Sequence, residues 1–139
     1  MLSKLKEFWQ KFRPPQQAEK PSPRELGILG EKLARDYLRK RGYHILETNF
    51  RCPLGEIDIV ARHKDALAFI EVRTRSTRDF GTPEESVTKA KQRKLSRLAE
   101  FYLKRHPELS SLPPRIDVVA VEMEGRKVRR IDLIQDALA

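Results

Sequence analysis

Leu26, Leu29, Leu33 and Tyr37 recur at three- and four-residue intervals, which places them along one face of a helix. Ser22-Pro23-Arg24-Glu25 just before them has the form of a capping box, with Ser22 as N-cap, Pro23 at the first helical position and Glu25 at the third. Gly42 supplies the stop. Residues 43–48, 55–62 and 66–74 then read as strands, followed by a polar loop over 75–85. Within that loop Thr82-Pro83-Glu84-Glu85 repeats the capping signature and predicts a short helical turn. A second helix is predicted over 88–105, with Leu95, Leu98, Ala99 and Tyr102 facing inward, and His106-Pro107 ends it. Strands over 115–122 and 127–134 flank a turn at Gly125. The order α-β-β-β-α-β-β predicts an α/β domain, a mixed central sheet flanked by helices.

Residues 1–21 form a separate segment. Leu2, Leu5, Phe8, Trp9 and Phe12 keep helical spacing, Lys4, Lys6, Lys11 and Arg13 occupy positions between them, and Pro14-Pro15 ends the pattern ahead of a linker. A basic amphipathic helix of this kind suits a membrane surface or a partner. Its ordinary alternative is a loosely ordered arm, because so short a helix is marginal in water. The expected domain boundaries are therefore an arm over 1–21 and a folded domain over 22–139.

Composition adds a partner class. Of the 139 residues 39% are hydrophobic and 35% charged, and the formal net charge is +9. That balance allows a modest core and points to a polyanion, nucleic acid first and anionic membrane second. Solubility alone accounts for basic charge on many small proteins. Cys52 is the single cysteine, so no internal disulfide is available and a secreted disulfide scaffold is excluded. No stretch approaches the roughly 20 apolar residues of a membrane span, and the N-terminus lacks the pattern of a signal peptide. The expected location is cytoplasmic.

The strands over 55–62 and 66–74 carry charges where core side chains belong. Strict alternation puts Ile57, Ile59 and Ala61 on one face and Glu56, Asp58 and Val60 on the other. In the next strand Ala68, Ile70 and Val72 share a face, and Phe69, Glu71 and Arg73 share the opposite one. A turn centred between Lys64 and Asp65 sets Val60 against Phe69, Asp58 against Glu71 and Glu56 against Arg73. Directly opposed residues have Cβ atoms about 4.5–5.5 Å apart, so two carboxylates there repel. A divalent cation such as Mg²⁺ or Mn²⁺ is one remedy, and Arg73 is another. The plain alternative is a solvated sheet face, although Val60 and Phe69 on the same face argue that it is partly covered.

Gly55-Glu56-Ile57-Asp58 followed by Phe69-Ile70-Glu71-Val72-Arg73 resembles the YraN-like family of predicted endonucleases. Gly30-Glu31, Asn49-Phe50-Arg51, Lys91 and Arg115-Ile116-Asp117-Val118-Val119 extend the resemblance from about Gly27 to the last strand. That family belongs with the restriction-endonuclease-like superfamily, whose motif is written PD-(D/E)xK, and is similar to archaeal Holliday-junction resolvases. The resemblance implies a restriction-endonuclease-like fold and a metal-dependent phosphodiesterase acting on branched or structured DNA. Asp58 and Glu71 would be its metal ligands, Glu31 the helical glutamate of the resolvase branch, and Arg73 would stand in the lysine position. Arginine cannot serve as a base, so Arg73 would orient phosphate or stabilise charge. By analogy with the resolvases, a homodimer is expected.

The remaining candidates each have an ordinary reading. Glu31 precedes Arg35 by four residues, the spacing of a surface ion pair. Lys91 lies one turn before Leu95 on the inward face of the second helix and is expected to point at the acids; snorkelling to solvent is the alternative. Lys89, Arg93, Lys94 and Arg97 make the outer side of that helix a candidate track for a phosphate backbone. Asp117 is expected to be structural, and His44, His63 and His106 follow no metal-ligand spacing. The competing functional readings are a non-catalytic nucleic-acid-binding module and an adaptor held at a membrane by the arm.

Overall fold

The computed structural model describes residues 4–5, 20–77 and 88–138. Most of the N-terminal arm and the Thr82–Glu85 turn therefore lie outside the described residues. Helix α1 spans Pro23–Lys40 and is capped by the Ser22 hydroxyl, which accepts from the Glu25 backbone N–H at 3.1 Å. The Glu25 carboxylate is held by Arg126, at 3.0 Å. Strands β1 (His44–Cys52), β2 (Gly55–His63) and β3 (Ala66–Ser76) form an antiparallel meander. Helix α2 (Lys89–Arg105), capped by Thr88, carries the chain back so that β4 (Pro114–Glu124) runs parallel to β3. Strand β5 (Lys127–Ile134) closes the sheet antiparallel to β4, giving the order β1-β2-β3-β4-β5.

The two helices cover opposite faces of this mixed sheet. Ala34 and Leu38 of α1 pack against Ile59, Ala61, Ala68, Ile70, Val119 and Val121. Leu95, Leu98, Ala99 and Tyr102 of α2 pack against Val60, Leu67, Phe69 and Ile116. Central strands covered on both sides read as continuous apolar runs, as Leu67–Ile70 and Val118–Val121 do. The inward line of α1 is Gly30-Ala34-Leu38, with Leu26, Leu29 and Leu33 only partly buried beside it. The stripe of large apolar residues thus flanks the packing line, because a close helix–sheet approach needs small side chains at its centre. A Cβ at Gly30 would overlap the Thr74 side chain of β3.

The β2–β3 turn falls on Lys64-Asp65, with Lys64 in the left-handed region at φ 55, and Val60 pairs with Phe69. Strict alternation fails further along β2. Ile59 and Ala61 face α1, yet Ile57 joins Val60 on the α2 side. Its neighbour Phe50 on β1 lies on the α2 side as well. The change of face falls at Asn49 and Asp58, which stand opposite each other between the Thr48–Ile59 and Phe50–Ile57 pairs. Asn49 has φ 53, a left-handed conformation that interrupts the pleat and that asparagine tolerates better than most residues.

At the far end of the sheet Asp117 is fully buried. It accepts hydrogen bonds from Tyr43 at 2.8 Å, from Arg115, and from the Asp136 backbone N–H at 2.9 Å. Arg115 also reaches His63, whose ring stacks on Tyr43 at 4.1 Å. Burial, with smaller effects from Asp117, pushes the Tyr43 hydroxyl up to about 12. This network ties the segment after β5 to the sheet, which is the structural role expected for Asp117. No helix among the described residues is long and apolar enough to cross a membrane.

Candidate active site

The change of face at Asn49 and Asp58 shapes a recess beside the first turns of α1. Beyond that point Arg51 and Glu56, paired across β1 and β2, come to the α1 side. They meet Glu31 from the helix, Asp58 and Asn49 from the strands, and Arg73 and Thr74 from β3 in a recess of about 400 Å³. Arg24 lines its helix side. The chemistry is acidic carboxylates among arginines.

Asp58 stands where β2 and β3 part. Their ladder ends at Ile59–Ile70, and beyond it the Val72 backbone N–H donates to Asp58 Oδ2 at 2.8 Å. The side chain thus stands in for a main-chain acceptor. Burial pushes the Asp58 carboxyl up to about 7; the Val72 hydrogen bond opposes the shift, and the negative charges of Glu71, Glu31 and Glu56 add to it.

Glu31 lies one turn before Ala34 on the inward side of α1, so it turns toward the recess. Its Oε1 is buried without a hydrogen-bond partner among the described residues. Desolvation raises its pKa, Arg35 and an Asn49 hydrogen bond lower it, and Glu56 raises it further. Arg35 acts on it as a nearby charge, and among the described ion pairs there is none between the two.

Glu71 continues the Phe69 face, toward α2. Lys91 Nζ approaches its Oε1 at 2.5 Å and Arg73 Nε lies 3.3 Å from the same oxygen. Lys91 therefore points at the acid, as its place on the helix predicts. Glu71 does not line the recess that holds Asp58, Glu31 and Glu56. It acts on Asp58 through its charge from across the parted strands.

The expected phosphate track divides. Lys89, Arg93 and Arg97 line a shallow groove on α2 that ends at Leu138. Lys94 instead lies over the β1–β2 turn, where a Cβ on Gly55 would come within 2.7 Å of its Cε.

Among the described residues no group of three or more His, Cys, Asp or Glu is gathered to hold a metal ion by side chains alone. Mg²⁺ needs less, since it typically takes one or two carboxylates and keeps water or phosphate oxygens for the rest. The buried, unpartnered Glu31 Oε1 and the disfavoured charge of Asp58 both call for a cation, so the donor set fits one. Asn49 and the grouping of Glu56 with Glu31 escape a reading by alternation. The one signal for them in the sequence is an asparagine just past the strand expected over 43–48, a residue type that admits positive φ, in a strand that the structure extends to Cys52.

The family description "Uncharacterised protein family UPF0102" matches residues 30–121, from Gly30 in α1 through most of β4. A UPF0102 protein of Caldicellulosiruptor bescii is 44% identical over 115 residues, covering 82% of this chain and 97% of the relative. One from Moorella thermoacetica is 48% identical over 115 residues, with 82% and 95% covered. One from Syntrophotalea carbinolica is 50% identical over 100 residues, with 72% and 80% covered. The matched span holds Glu31, Asn49, Asp58, Glu71, Arg73 and Lys91 together, and by these likenesses the chain belongs to the uncharacterised protein family UPF0102.

Proposed function

We propose that this protein is a divalent-metal-dependent endonuclease of the cytoplasm that hydrolyses phosphodiester bonds in branched or structured DNA. The observation that carries the reading is the recess itself: a half-buried Asp58 pushed up to about 7 beside a Glu31 oxygen that lacks a donor among the described residues. Asp58 and Glu31 line the recess and would hold Mg²⁺ or Mn²⁺; Glu71, the other ligand the family resemblance implies, lies on the α2 side across the parted strands and not opposite Asp58 in the ladder. Bound there, such an ion lowers the pKa of water and screens phosphate charge.

The protein's own groups have distinct tasks. Val72 N–H fixes the Asp58 carboxylate. Lys91 and Arg73 hold Glu71 in place. Arg73, at the mouth of the recess, orients a phosphate and meets the charge that develops on it. Arg24 and Arg51 on the same rim attract the backbone, and Lys89, Arg93 and Arg97 guide more of it along α2.

A second reading, a binding module without catalysis, is favoured by one feature. Glu71 is already neutralised by Lys91 and Arg73, and neither an arginine nor an engaged lysine can act as a base. The test is cleavage of four-way-junction and single-stranded DNA with Mn²⁺, by wild type and Asp58→Ala. The nuclease reading expects cutting by wild type alone, with binding retained by both. Binding without cutting under any divalent ion leaves the module.

A further inference from the structure

We propose that Asn49 is the positioning residue of this recess: its left-handed backbone turns β1 and β2 over so that Asp58 enters the β2–β3 gap, and its amide holds Glu31. The inference rests on the metal-site reading for its purpose, but its geometry stands apart from any ion.

Three observations converge. Asn49 has φ 53 within a strand. It stands opposite Asp58, where both strands change face, Thr48 and Ile59 lying on one side of that point and Phe50 and Ile57 on the other. Without that change Glu56 and Arg51 would project toward α2 and leave the recess. The Asn49 side chain also lines the recess, where it favours the charged form of the Glu31 carboxylate, whose Oε1 is buried without a partner among the described residues. A residue that merely turned the chain would serve equally well as glycine; the amide on Glu31 is what glycine lacks.

Groups that orient metal-binding side chains through hydrogen bonds typically alter metal affinity by about 10–100-fold when removed. Asn49→Gly keeps the backbone conformation at little cost, whereas Asn49→Val opposes it, because a β-branched residue at positive φ is strained. The readouts are the Val72 amide proton shift of the metal-free protein, which reports the bond to Asp58, and Mn²⁺ affinity by calorimetry.

Asn49→Gly is expected to keep the Val72 shift and bind Mn²⁺ about 10-fold more weakly. Asn49→Val is expected to move the Val72 shift as well. Unchanged Mn²⁺ affinity in the glycine variant, or an unmoved Val72 shift in a folded valine variant, overturns the proposal. A valine variant that does not fold leaves the decision with glycine. If wild type itself takes up no Mn²⁺, the nuclease reading falls separately. The positioning role is then decided by the Glu31 side-chain carboxyl ¹³C resonance, which moves in Asn49→Gly if the amide holds that group and stays if it does not.

Discussion

Asp58 is short of water, and Glu31, Glu56 and Glu71 all act on it, so its charged form is disfavoured in the folded chain. Its carboxyl is pushed up to about 7, against an ordinary value of 3.8. The sign of the consequence follows from proton uptake. Between those values the folded state holds a proton that the unfolded state has released, so stability falls as pH rises from about 4 to about 7 and then levels. The loss is on the order of 4 kcal/mol at full effect, taken at about 1.4 kcal/mol per pKa unit. Asp58→Asn, which cannot ionise, should remove this slope. Urea unfolding in chelator from pH 4 to 8 checks it: wild type loses stability over that range relative to the variant, and parallel curves would refute the shift. The same recess marks how far reading by residue type reaches. Asp58, Glu71, Arg73 and Lys91 stand out because charges are uncommon at the inward positions of strands and helices. Asn49 does not stand out by residue type, because it falls just past the strand expected over 43–48, where an asparagine is ordinary.

At the scale of elements, α1 is seated by Gly30. Alanine there gains up to about 1 kcal/mol in helix propensity. Overpacking typically costs about 1–3 kcal/mol, and the obstructing atoms belong to Thr74, a stiff β-branched residue on a central strand. The steric cost should win. Gly30→Ala is expected to lower stability by about 1–2 kcal/mol net, measured by urea unfolding, and to shift Glu31 because the helix must lift. A variant as stable as wild type would mean that β3 yields instead. Helix boundaries were legible because Ser22, Gly42 and His106-Pro107 act locally, within a turn of their own backbone. Which line of α1 faces the sheet was not. The largest apolar residues trace Leu26-Leu29-Leu33, while close packing selects Gly30-Ala34-Leu38. The distance between helix and sheet decides that choice, and both partners set it.

For the whole molecule the controlling quantity is the net charge of +9. The sheet separates two basic regions: the arginines around the recess on the α1 side, and Lys89, Arg93 and Arg97 on α2. If DNA touches both, every phosphate deprived of its cationic side chain should reduce the slope of log affinity against log salt by about 0.9 for a duplex. Reversing Lys89, Arg93 and Arg97 to glutamate together should therefore flatten that slope by roughly 3, read by fluorescence anisotropy on duplex DNA. An unchanged slope would confine the DNA to the recess side. Lys94 is left out of this set because it lies over the β1–β2 turn.

Local chemistry alone settled the order of elements, the Ser22 cap, the Lys64-Asp65 turn and hence the Val60–Phe69 register, since each depends on residues near one another in the chain. The basic surface and the choice of Asp58, Glu71 and Lys91 were also set at that level, through residue type and periodicity. The tertiary structure decided the rest: the parallel β3–β4 pairing, the parting of β2 and β3 filled by the Asp58 carboxylate, and the switch of face at Asn49. That switch moves Glu56 and Arg51 from one side of the sheet to the other. A strand's alternation can be read from its sequence only while its pleat is unbroken, and a single left-handed residue, held by partners far away in the chain, reverses the side of every position after it.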